Sequence, residues 1–125
     1  MKNVQLSLWL LLVACASSAQ IPTISLDSGA SSARTRNDEI VVSTGQVTGK
    51  WKWTGKGFVT TSFKNLQTDT EWVNPQSELL ADWDLRLFEG DVQLVSLTAD
   101  VSDDDHFTSR HIRITAEIDY ALSEK

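Results

Sequence analysis

The sequence predicts an all-β protein, an antiparallel β-sandwich, complete or in part. Hydrophobicity along the chain alternates with a period of two, and turn-forming residues recur at intervals of roughly ten residues. No segment carries a long helical stripe. The clearest alternation is HIRITAEIDY, residues 111–120. Ile112, Ile114, Ala116, Ile118 and Tyr120 fall on one side, and His111, Arg113, Thr115, Glu117 and Asp119 on the other. Successive side chains of a strand point to opposite faces, so this pattern is that of a half-buried strand.

A chain of 125 residues suffices for one domain with one modest core. Its 41% hydrophobic content is too high for a disordered chain. The formal charge of −6 argues against nucleic acid, which calls for a basic footprint, and against electrostatic attachment to anionic lipid. The acidity is spread along the chain except for a dense patch at residues 100–105.

Taken in chain order, the first element is a leader. Lys2 precedes an apolar run, VQLSLWLLLV at residues 4–13, too short to span a bilayer. The run ends in Leu12-Val13-Ala14-Cys15, which resembles the lipobox of bacterial lipoproteins. Residues 1–14 would then be a signal peptide, and Cys15 the lipidated new N-terminus. Ordinary cleavage after Ala19 is the competing reading, because Ser17-Ser18-Ala19 fits a small-x-small site. Either way the chain is expected to be exported from a bacterial cell, to the envelope or the medium. Membrane contact would run only through a lipid on Cys15, which as the sole cysteine cannot form an internal disulfide.

Residues 15–38, rich in Ser, Ala and Thr, read as a flexible tether, and the sandwich is expected over residues 39–125. Strands are expected at EIVVS (39–43), QVTGKWKWT (46–54), GFVTTSF (57–63), WDLRLFE (83–89), residues 92–102 and residues 111–120. Within them Trp83, Leu85 and Leu87 share a face, as do Val95, Leu97, Ala99 and Val101. Val47, Gly49, Trp51 and Trp53 share another, with Lys50 and Lys52 opposite. A helix over PQSELLADW, residues 75–83, is the one rival to an all-strand assignment.

No catalytic set emerges. There are two histidines, His106 and His111, and no G-x-S-x-G elbow for a serine nucleophile. Their spacing across a turn and a strand start is not that of metal ligands. The acidic run at residues 100–105 lacks the glycine and closing glutamate of an EF-hand loop, so it reads as a solvated turn. Asp82 with Asp84, and Glu117 with Asp119, share strand faces as glycosidase carboxylates would, but such pairs are common on solvated faces. No catalytic residue, metal or cofactor is therefore expected. Trp51, Trp53 and Trp72 are the candidate carbohydrate-binding residues, since indole faces stack on sugar rings. The alternating lysines pull the other way, turning Trp51 and Trp53 into a core.

The stretch IVVSTGQVTGKWKWTGKGFVTTSFKNLQTDTEW, together with HIRITAEIDY, resembles the N-terminal β-sandwich domain of α-galactosidase-like (melibiase-type) glycoside hydrolases. In that family the catalytic aspartates lie in a downstream (β/α)8 barrel, so no catalytic residue carries over to this chain. The resemblance implies a non-catalytic portion of a carbohydrate-active hydrolase, partnered by carbohydrate and by a downstream catalytic domain. The alternative is a complete small surface lipoprotein that binds glycan or a protein.

Overall fold

The computed structural model describes residues 20–74, 78–83, 85, 90–103 and 110–121. The expected leader, Cys15 and the alternative cleavage site expected at Ala19 lie outside the described residues, as do His106 and Asp84. The described residues form eight strands: β1 (Ser25–Ser28), β2 (Ser31–Arg36), β3 (Glu39–Ser43), β4 (Val47–Trp53), β5 (Phe58–Asn65), β6 (Thr70–Glu71), β7 (Val92–Ser102) and β8 (His111–Tyr120). They pair antiparallel with their sequence neighbours into a six-stranded meander, β1 to β6, and a two-stranded sheet, β7 and β8. The described residues contain no helix. The predicted all-β antiparallel architecture is the one observed.

Expected strands 39–43, 92–102 and 111–120 match β3, β7 and β8 in full, and β4 and β5 fall within a residue or two of expectation. Two of the expected segment assignments need correction. Residues 25–36, read as part of a tether, form the β1–β2 hairpin, and Ala33 within it is 0% exposed. This hairpin lacks an apolar stripe because it is ordered by its pairing to β3 and by Ile21, Ile24 and Ala33 in the core. Thr35 Oγ1 accepts from Ile24 N at 2.8 Å, and Arg34 holds both carboxylate oxygens of Asp27 at 2.7 and 2.8 Å. The second correction concerns the strand expected at 83–89. Trp83 and Leu85 are in no strand; residues 84 and 86–89 lie outside the described residues. Residues 80–83 instead run beside β5, where Asp82 N donates to Phe58 O at 2.9 Å.

Two bulges reset which side chains face inward. On β5, Lys50 pairs with Ser62 and Trp51 with Thr60, leaving Thr61 as the extra residue. A bulge residue flips strand parity, so Phe63, opposite Gly49, joins the inner face with Trp51 and Trp53. On β7, Leu94 pairs with Ile118 and Ser96 with Glu117, leaving Val95 extra. Val95 is accordingly 50% exposed rather than sharing the face of Leu97 and Ala99.

The two sheets meet where β7 crosses β1 and β8 crosses β2. Between them lies a core of Ile21, Ile24, Ala33, Ile40, Trp53, Phe58 and Leu97, flanked by Val92, Leu94, Ala99, Ile112, Ile114 and Ile118. Burial of each large side chain stabilises by about 1.5–3 kcal/mol. Among the described residues the two strands cover the inner face of the six only in part.

Candidate functional site

The open part of the inner face forms an apolar cleft of ≈ 360 Å³ between the sheets. Its floor is Ile40 and Val42 of β3, Trp51 of β4 and Phe58 of β5; its roof is Leu97 of β7 with Ile112, Ile114 and Ala116 of β8. Glycine at 49 gives Trp51 its place: the indole occupies the space a Cβ there would fill. None of the eight lining residues carries a side-chain hydrogen-bonding group other than the indole N–H of Trp51.

The three candidate tryptophans are separated by the fold. Trp53 is 7% exposed, its ring centroid 5.1 Å from that of Phe58, so it is a core residue and cannot stack on a sugar. Trp51 is half-buried along the cleft. Trp72 is 54% exposed just past β6, with its ring centroid 5.5 Å from that of Phe63. Phe63 is absent from the sequence-derived set because its inward orientation depends on the Thr61 bulge.

Beside this aromatic pair, Glu71 accepts from Phe63 N at 2.8 Å, from Val73 N at 3.0 Å and from Ser62 Oγ. The Ser62 hydroxyl first, and then the two backbone donors, hold its carboxyl down at about 2. Glu71 therefore ties down the edge of β5 as an anion and is poorly suited to proton transfer near neutrality. Nearby, Asp69 raises the Lys64 ammonium through a hydrogen bond at 2.6 Å.

The other candidate acids are similarly engaged or dispersed. Asp82 accepts from Thr60 N at 2.9 and 3.1 Å and from Thr60 Oγ1. Asp100 pairs with Arg113 at 3.0 Å. Glu117 and Asp119 lie on the exposed outer face of β8, where Glu117 accepts from Ser96 Oγ at 3.5 Å. His111 is exposed at the start of that strand. Among the described residues no group of three or more His, Cys, Asp and Glu is placed to hold a metal ion.

A second hollow, ≈ 540 Å³, is lined by residues 78–83 and Leu85. Leu79, Leu80 and Trp83 are 45%, 52% and 42% exposed there, and Trp83 Nε1 donates to the Tyr120 hydroxyl at 2.8 Å. What the described residues offer is thus apolar contact surface in the cleft and an exposed aromatic pair at the β5–β6 end. Comparison of the chain with protein-family models, with curated proteins and with solved structures finds no match.

Proposed function

We propose that this chain is an exported, non-catalytic β-sandwich portion of a carbohydrate-active glycoside hydrolase, of the α-galactosidase-like kind, and that it packs on a downstream catalytic domain through the inter-sheet cleft. The carrying observation is the lining of that cleft by Ile40, Val42, Trp51, Phe58, Leu97, Ile112, Ile114 and Ala116. Sugar hydroxyls buried there would lose water and gain almost no hydrogen bonds, a penalty of roughly 1–3 kcal/mol per unpaired group. Apolar side chains of a protein neighbour incur no such penalty. The leader and the strand-and-turn resemblance supply the export and the hydrolase context. The reading frame beyond Lys125 is the first test: alternating strand and helix patterns are expected, and a stop codon directly after Lys125 overturns the hydrolase assignment. The downstream domain, expressed separately, should co-purify with this chain and lose it on Ile114→Lys.

A second reading, a surface lipoprotein that binds glycan, is favoured by the exposed Phe63–Trp72 pair. Retention on a polysaccharide matrix that disappears with Trp72→Ala would establish it.

A further inference from the structure

The inner face of the larger sheet ends, at the β5–β6 side, in an uncharged patch. Asn65 pairs with Thr70, and one rung on Trp72 N donates to Phe63 O at 2.9 Å. Alternation therefore puts Phe63, Asn65, Thr70 and Trp72 on the same face. The rings of Phe63 and Trp72 are inclined at 38°, and the two residues are 40% and 54% exposed, so ring surface of both is left to solvent. Hydrogen-bonding groups surround the pair. Asn65 Oδ1 accepts from Gln67 N at 2.9 Å and from Thr68 N at 3.2 Å, which fixes the amide and leaves Nδ2 as a spare donor. The Thr70 hydroxyl shares one hydrogen bond, 2.8 Å long, with that of Thr68. The indole N–H of Trp72 has no partner among the described residues. The charges of this end alternate to the opposite face and are engaged there, Lys64 with Asp69 at 2.6 Å, and Glu71 with Ser62 and the strand edge.

We infer that Phe63, Asn65, Thr70 and Trp72 form a binding site for a neutral pyranose unit of a polysaccharide. A pyranose has an apolar face of C–H groups rimmed by hydroxyls. The face stacks on the two rings, and the rim meets Asn65 Nδ2, Thr70 Oγ1 and Trp72 Nε1. Asn65 lies about 7 Å along the strand from Phe63, a reach that a sugar and its hydroxyls bridge. The cleft lacks these groups, which is why it rejects sugar where this patch accepts it. An acidic polysaccharide finds no cation on this face, and the net charge of −6 repels it. The inference rests on the glycan reading of the Phe63–Trp72 pair, adds the polar residues and the neutral class to it, and leaves the cleft to a protein neighbour.

Affinity electrophoresis of the full chain tests it, in gels cast with a neutral galactomannan, a neutral β-glucan or the acidic polygalacturonate. Retardation is expected in a neutral gel and not in polygalacturonate. Trp72→Ala should weaken it by roughly tenfold or more. Asn65→Asp keeps the acceptor for Gln67 N and Thr68 N but loses the Nδ2 donor, and should weaken it by about three- to tenfold. If circular dichroism shows Asn65→Asp unfolded, Thr70→Val, which removes the hydroxyl alone, replaces it. Retardation lost in Trp72→Ala but unchanged in the folded polar variant overturns the inference while the glycan reading stands. Stronger retardation in polygalacturonate overturns the neutral class. No retardation in either neutral gel overturns the inference and the glycan reading together.

Discussion

The indole of Trp51 lies over the backbone of Gly49: a Cβ built on Gly49 would sit 2.8 Å from Cζ3 of Trp51 and closer still to Cη2. Gly49→Ala must therefore push the ring into the cleft. Alanine gains roughly 0.5–1 kcal/mol in a strand interior through backbone entropy, but overpacking against a rigid ring costs about 1–3 kcal/mol. The variant should be less stable in urea unfolding, with a shifted tryptophan emission. A variant more stable than the wild type would mean that the indole does not rest there.

The tryptophans should separate by burial. Trp53→Ala removes a core side chain packed on Phe58 and should cost about 3–5 kcal/mol. Trp51→Ala, at a half-buried site, should cost about 1–3 kcal/mol, and Trp72→Ala less than about 1 kcal/mol. Chemical denaturation of the three variants gives the order directly; a Trp53→Ala protein as stable as Trp72→Ala would contradict the assignment of the core.

Acid should weaken the fold partly through Glu71. Its carboxyl is held at about 2 in the fold against an ordinary value of 4.5. A group depressed in this way contributes stability above its unfolded value, and the contribution drains away as pH falls from about 4.5 toward 2. Glu71→Gln keeps the shape and removes the titration, so its unfolding midpoint should fall less between pH 6 and pH 3 than that of the wild type. Equal slopes in the two proteins would show that Glu71 is not linked to folding.

Asp82 closes the edge of β5 by accepting from Thr60 N. Asp82→Ala should cost about 0.5–1.5 kcal/mol, the net worth of a hydrogen bond. It also bares part of a strand edge, so turbidity at raised temperature should appear earlier than in the wild type. Asp82→Asn, which keeps an acceptor oxygen, should fall between the two. Identical turbidity curves for all three would remove Asp82 from edge protection.

Much of the strand content could be read directly because β8 alternates cleanly and β3 and β7 are runs rich in β-branched and apolar residues bounded by turn residues. The β1–β2 hairpin could not be read from hydrophobicity: SLDS and SSARTR carry just Leu26 and Ala33 as apolar residues. Its turns were nonetheless written in the chain. Gly29 at φ 59° and Asn37 at φ 59° each sit in a two-residue connection, and these residue types tolerate the left-handed region that such connections require. The bulge at Val95 shows in the sequence as a phase shift, from Val92 and Leu94 to Leu97, Ala99 and Val101, which is masked because Val95 is itself apolar; the bulge at Thr61 lies among threonines and a serine, and each changed the orientation of what followed or sat in it. The inward turn of Trp51 and Trp53 was legible from the alternating lysines. The cleft was not, because it arises from the unequal size of the two sheets.

The most direct test of the cleft as the working surface is a backbone amide shift map of the labelled chain, titrated first with the proposed downstream domain and then with an α-galactoside oligosaccharide. The account predicts that the domain shifts Ile40, Val42, Trp51, Leu97, Ile112, Ile114 and Ala116, and that the sugar shifts none of them. Unmoved cleft residues in the presence of the domain, with sugar-dependent shifts centred on Phe63 and Trp72, would contradict it.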